Sequence, residues 1–246
     1  MALVSPAFIQ SLWHSATRAR RELTTSNLRI KKQLRVKVNF SQAQASPHLV
    51  RGDAGTLRPT QMTVRCREVE QKRNQRGQMG KRGRAEPLAV HCFPCVIGPK
   101  GKHYIVDHHH FGLALLQEGK KDVWLSIFKD LSYLKASTFW RVMEDDRWVH
   151  PYDGNGVRHD FDAIPKVPTK LLDNIYRSLA GELRHAGGYL KDMTPYSEYL
   201  WADFLRVRVA EELALSDFDQ ALKNSVALAH QQEARYLQSW SGEMVR

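Results

Sequence analysis

The chain has 246 residues, 42% of them hydrophobic, and 37 Lys+Arg against 26 Asp+Glu give it a formal net charge of +11. That length supports one sizeable domain or two small ones, with a core that needs no disulfides. The cysteines are only Cys66, Cys92 and Cys95, which argues against a secreted disulfide scaffold and for a reducing compartment, and no apolar run is long enough to span a bilayer.

The charge is unevenly placed. Residues 1–103 carry 20 Lys+Arg and 5 Asp+Glu, whereas residues 104–246 carry 17 and 21. The basic half suits nucleic acid, a nucleotide or another anionic surface, and it equally suits a solvated tail and loop. Residues 1–52 read as a basic, disordered arm, with Arg18, Arg20, Arg21, Arg29, Lys31, Lys32, Arg35 and Lys37 set against Glu22 alone in the first fifty positions. The same composition fits a cytoplasmic tail, an organelle transit peptide or translation from an upstream start, and it does not choose among them.

Beyond the arm, Pro59 holds Arg58 extended. A basic helix is predicted over 64–75 and a Gly- and Arg-rich loop over 76–87. A strand follows over 88–97, made an edge or bulged strand by Pro94. The turn Gly98-Pro99-Lys100-Gly101 predicts an antiparallel hairpin returning through 103–106. A helix following the histidine run carries Phe111, Leu113, Ala114, Leu115 and Leu116 and stops at Gly119, residues 122–128 alternate as a strand, and a short helix begins near Ser137. From Pro168 the pattern is helical, with Leu171, Ile175, Leu179 and Leu183 four residues apart until Gly187-Gly188. Thr194-Pro195 predicts the start of a second helix, and Ser216-Asp217 of a third running through Leu222, Leu228, Tyr236 and Trp240.

The densest chemistry is Asp107-His108-His109-His110 at the junction between the strand ending near Val106 and the next helix. The free N–H groups of a helix's first turn favour anions, and imidazoles beside a carboxylate can bind phosphate, hold a metal or move protons. Asp107 can equally cap the helix. Successive helical residues lie roughly 100° apart, so the three histidines cannot all face one site. A second candidate, His91-Cys92-Phe93-Pro94-Cys95, has one Cys-x-x-Cys pair where structural zinc usually takes four Cys/His ligands. As a strand it reads as cysteines packing like small hydrophobes.

Several segments together resemble the ParB-like nuclease family of the ParB/sulfiredoxin superfamily. They are Leu57-Arg58-Pro59-Thr60-Gln61, Arg67-Glu68-Val69, Tyr104 through His110 with Ala114-Leu115, Phe139-Trp140, Trp148-Val149, Tyr176 through Ala180, and Ala202-Asp203-Phe204. The resemblance implies an α+β fold, a small mixed sheet with helices over 53–162. A helical half packs on it over 163–209, and a helical extension follows over 210–246. It also implies a phosphate- or nucleotide-binding loop at the strand-to-helix junction. Two departures stand out. His108 and Phe111 occupy places where many relatives carry Gly and a phosphate-pairing Arg, and Gln61 lies near the acid used by kinase-like relatives, where a carboxamide cannot act as a base.

Three functions compete. The first is a nuclease hydrolysing phosphodiester bonds, with Asp107, His109 and Glu68 as catalytic residues. Asp107 and His109 would hold a divalent metal, Mg or Mn, and His110, His108, Arg58, Lys102 and Arg177 would meet phosphate. The second is a kinase of a small metabolite using ATP or CTP. The third is a non-catalytic nucleic-acid-binding protein in which the histidine run is structural. Nucleic acid or a nucleotide is the expected partner, a membrane is not, the compartment reads as cytoplasmic or organellar, and the sequence leaves the oligomeric state open.

Overall fold

The computed structural model describes residues 48–78, 92–191 and 194–243. Its first half is built on a four-stranded sheet made by β1 (His48–Asp53), β3 (Cys92–Gly98), β4 (Lys102–Ile105) and β5 (Asp122–Asp130) in the order β1-β5-β3-β4. β5 runs antiparallel to β1 and parallel to β3, and β3 pairs antiparallel with β4. The sheet is therefore mixed, as expected. Pro94 sits on an inner strand rather than an edge, and the register shifts one step beyond it, between Cys95 and Val96. That bulge lets a residue without an N–H occupy a central strand, while the Pro94 carbonyl still accepts from the Val106 N–H at 3.0 Å.

Side chains of the sheet alternate between its two faces. Phe93, Cys95, Ile105 and Leu125 pack against Phe111 and Leu115 of α2 (His109–Gln117), whereas Val96 joins Phe139 and Met143 of α3 (Ala136–Asp145). The sheet is thus covered by α2 on one face and α3 on the other. α1 (Cys66–Gln78) packs beside α2 through Val69, Leu113 and Ala114. The second half contains α4 (Ile175–His185), α5 (Ser197–Arg206), the short α6 (Glu211–Ser216) and α7 (Phe218–Ala229). A two-stranded parallel ladder, β2 (Thr63–Val64) with β6 (Leu172–Asp173), ties the halves together.

Several boundaries differ from the sequence reading. The arm expected over 1–52 overlaps a sheet strand, His48–Asp53; residues 1–47 and 79–91, the latter taking in most of the loop expected over 76–87, lie outside the described residues. The helix expected from Pro168 starts at Ile175. Leu171 instead fills the cluster between α1 and α2, and Asn174 caps α4 by accepting from the Arg177 N–H at 3.0 Å. α5 begins after Tyr196, which has φ +64°, rather than at Thr194-Pro195. α7 opens as expected on Asp217 but ends at Ala229, leaving Tyr236 exposed. The division at residue 210 has no counterpart in packing. Leu179, Trp201 and Phe204 share one core with Ala221, Ala234 and Leu237. Among the described residues no helix is long and apolar enough to cross a membrane.

Candidate functional site

The chain turns from β4 into α2 through Asp107 and His108. His108 is in the left-handed region at φ +66°, and an Asp107 carboxylate oxygen accepts its N–H at 2.6 Å. Left-handed backbone is costly for any residue with a Cβ, so the Asp107 carboxylate braces a histidine at a place whose backbone favours glycine. Asp107 itself is exposed, and the half-buried His108 ring stands edge-on to Phe93.

His109 points into the protein, only 3% exposed. Its Nε2 accepts the Thr60 N–H at 3.1 Å while the Thr60 hydroxyl donates to the Ile105 carbonyl at 2.8 Å. An imidazole accepting at Nε2 carries its proton on Nδ1 and has no second lone pair to offer a metal or a substrate proton. Burial, reinforced by Arg177 and His108 and opposed by Asp107, pushes its pKa down to about 3, so it is neutral at physiological pH. His109 is therefore a strut between α2 and the segment after β1, not a ligand or proton carrier.

His110 faces the other way, toward α1. Its Nδ1 lies 3.7 Å from a Glu68 carboxylate oxygen, and its Nε2 is buried with no hydrogen-bond partner among the described residues. Burial, then the charges of Arg177 and Arg65, push its pKa well below the ordinary histidine value. Glu68 is also paired with Arg65 and, at 2.9 Å, with Lys72. Arg65 reaches Glu198 of α5 at 3.2 Å. Although burial works against it, Glu198 and Glu68 hold the Arg65 guanidinium above its ordinary pKa.

Arg177 completes the cluster from α4. Its Nη1 donates to the Thr63 carbonyl at 2.7 Å, its Nη2 approaches Glu198 at 3.5 Å, and its guanidinium lies 4.0 Å from the Tyr199 ring centre. Its Nε, the Nε of Arg65 and the hydroxyl of the adjacent Ser178 are all buried and have no partner among the described residues. Gln61 belongs to the wall: it accepts from the Tyr199 hydroxyl and donates to the Thr63 carbonyl, each at 2.8 Å. Beside it, His150 stacks among Tyr152, Tyr196 and Tyr199, and burial pushes its pKa down to about 3.

The expected site residues thus separate. Glu68, His110 and Arg177 come together. Asp107 and His108 remain at the junction's outer edge. Arg58 turns away to donate to the Lys166 carbonyl at 3.0 Å, and Lys102 is exposed on β4, next to the hairpin turn. The Asp107–His109 metal pair does not fit a divalent ion, because the His109 Nε2 lone pair is used. Among the described residues no group of three or more His, Cys, Asp or Glu is arranged to hold a metal. In the Cys-x-x-Cys pair, Cys95 is buried in β3, where burial raises its thiol pKa; the neighbouring His91 lies outside the described residues. Glu198 and Ser178 join the site without a sequence signal of their own, since a single acid or serine on an amphipathic helix looks like ordinary surface.

Comparisons with known proteins agree with the fold. A family model described as "Putative ParB-like nuclease" matches residues 52–207. The crystal structure of protein Atu1540 from Agrobacterium tumefaciens is similar at 42% sequence identity and a TM-score of 0.76, over 80% of this chain and 100% of that one. No curated protein sequence matches the chain. The match over more than half of the chain, on a mixed sheet with a helical half, places the protein in the ParB-like nuclease family.

Proposed function

We propose that the chain is a phosphate-handling enzyme that hydrolyses phosphodiester bonds, with Glu68 and His110 as its acid–base pair and Arg65 and Arg177 holding phosphoryl oxygens. The observation that carries this reading is the buried Nε2 of His110 in the first turn of α2, which has no partner among the described residues, with its Nδ1 turned toward Glu68. A carboxylate at Nδ1 keeps the proton there and leaves the Nε2 lone pair for chemistry. A separation of 3.7 Å is long for a hydrogen bond, but such pairs commonly tighten when substrate binds.

In this reading His110 Nε2 takes a proton from the attacking water as its oxygen bonds to phosphorus. The imidazolium then returns that proton to the oxygen that leaves. Burial is the main cause of the low basicity of free His110, and the smaller share due to Arg177 and Arg65 is offset once an anionic phosphate lies between them, so basicity rises when substrate is bound. Fixed cations aimed at the phosphoryl oxygens supply the charge stabilisation. No step runs through Asp107 and His109 with Mg or Mn, because the donor set does not fit. A kinase using ATP or CTP has less support, since the Gln61 amide is committed to Tyr199 and Thr63.

The test is incubation of the full chain with labelled DNA, RNA, ATP and CTP, with and without Mg²⁺ or Mn²⁺, beside His110→Asn and Glu68→Gln. Strand cleavage that falls at least 100-fold in His110→Asn supports the reading, general acid–base groups being worth about that factor or more. Phosphoryl transfer without cleavage would establish the kinase instead. Tight nucleic-acid binding with no turnover would leave a non-catalytic binding protein.

A further inference from the structure

The Arg65 guanidinium crosses α4 at Gly181. A Cβ built on Gly181 would overlap Arg65 Nη1 and stand 3.0 Å from its Cζ. Glycine inside a helix is less favourable than alanine, so its presence in the middle of α4 needs a reason, and close passage of this side chain supplies one. One turn earlier on the same face lies Ser178, 3% exposed, whose hydroxyl has no partner among the described residues. A helical serine can usually settle its hydroxyl on the carbonyl four residues back, as Ser225 does on Ala221 at 2.7 Å. Ser178 does not, and the neighbouring Arg65 Nε and Arg177 Nε also have no partner among the described residues. Buried donors left idle in one place have the character of a site that an oxyanion completes.

We infer that Ser178 and Gly181 form the floor of the anion site: Gly181 is a positioning residue that lets Arg65 lie across α4, and Ser178 donates to a bound phosphoryl oxygen. The Ser178 half of this inference rests on the phosphate reading above. The Gly181 half needs no ligand, because it concerns where Arg65 lies. Alanine at 181 would push the guanidinium off its seat and away from Glu198 and Glu68, which are only 18% and 21% exposed in their side chains.

The full chain and its Ser178→Ala, Gly181→Ala, Arg65→Ala and Arg65→Ala/Gly181→Ala variants separate these claims by thermal unfolding and by calorimetric titration with inorganic phosphate and dimethyl phosphate. Gly181→Ala should raise the unfolding midpoint by about 2 °C in the Arg65→Ala background, where only helix propensity acts, and should raise it less or lower it when Arg65 is present. Equal shifts in both backgrounds would overturn the positioning role. Phosphate affinity should fall about 10-fold or more in Gly181→Ala, with no further loss when Arg65→Ala is added. Ser178→Ala should weaken phosphate binding about fivefold without lowering the midpoint, since an idle buried hydroxyl contributes nothing to the ligand-free fold. A lowered midpoint, or unchanged affinity, would show that the hydroxyl serves the fold instead. Absence of phosphate binding by the wild-type chain would overturn the Ser178 contact together with the phosphate reading, while the Arg65–Gly181 coupling would stand or fall on the unfolding data.

Discussion

Acid should loosen this protein through its buried histidines, and His109 lets the effect be worked through. Its native pKa is pushed down to about 3, first by burial and then by Arg177 and His108, against an ordinary value near 6.5. A histidine whose native pKa lies below its unfolded value stabilises the fold fully above the unfolded pKa. That contribution is lost as pH falls from 6.5 toward 3, because the unfolded chain takes up a proton the native state refuses. Between pH 7 and pH 5 the loss for His109 is about 2 kcal/mol. His150, with its pKa also pushed down to about 3, adds a loss of about the same size, and His110 acts in the same direction. Urea unfolding at pH 7 and pH 5 measures the total. His109→Gln isolates one share, because the amide oxygen can still accept the Thr60 N–H but does not titrate. Its stability should drop between the two pH values by about 2 kcal/mol less than that of the wild type. An equal drop, or an NMR titration of His109 near pH 6.5, would refute the assignment of a neutral, hydrogen-bonded strut.

The other expected outcomes are more local. Asp107→Asn keeps an oxygen for the His108 N–H and should leave turnover within about threefold, whereas Asp107→Ala should cost about 1 kcal/mol in unfolding experiments; a loss in Asp107→Asn as deep as that of His110→Asn would restore Asp107 as the base. Gly98→Ala would place a Cβ 2.5 Å from Tyr104 and 2.8 Å from Phe139 in the sheet core, and denaturant melts should show a loss of about 1–3 kcal/mol. Arg177→Met should cost about 3–5 kcal/mol, since the side chain is 5% exposed and its removal strands a Glu198 oxygen and leaves the Thr63 carbonyl with only its Gln61 donor. Lys102→Ala, exposed on β4, should change neither stability by more than about 0.5 kcal/mol nor phosphate affinity.

What could be read from the chain follows the range of the signals. The β3–β4 hairpin, α2 with its stop at Gly119, strand β5 and the Asp217 cap are local patterns, and each was legible. Leu171 misled because it continued the four-residue spacing of α4 while packing against α1 and α2 instead, after a proline turn that periodicity cannot see. β1 was lost among polar residues because an edge strand with one exposed face needs little apolar character. Among the site residues, the histidine run stood out, but which imidazole faces inward depends on the left-handed turn at His108, a backbone fact that the letters do not carry. Glu198 was invisible because its meaning lies in two arginines from distant segments, Arg65 before α1 and Arg177 on α4.

Those partners come from four separate segments: Arg65 just before α1 with Glu68 on it, His110 on α2, Arg177 and Ser178 on α4, and Glu198 on α5. The sheet half and the helical half therefore complete the cluster only by docking. Burying ion pairs is a poor way to gain stability, because desolvation of the charges offsets most of their attraction. Well-packed apolar residues would join the two halves at less cost, as the helical core around Trp201 and Leu183 shows within its own half. The seam instead concentrates two guanidiniums, two carboxylates and an imidazole, with buried Nε and hydroxyl groups left partnerless among the described residues. A seam selected only to hold the halves together would have satisfied those groups or removed them. Retaining them is understandable if the missing hydrogen bonds are made by a ligand, and with cationic donors in the majority that ligand is an anion.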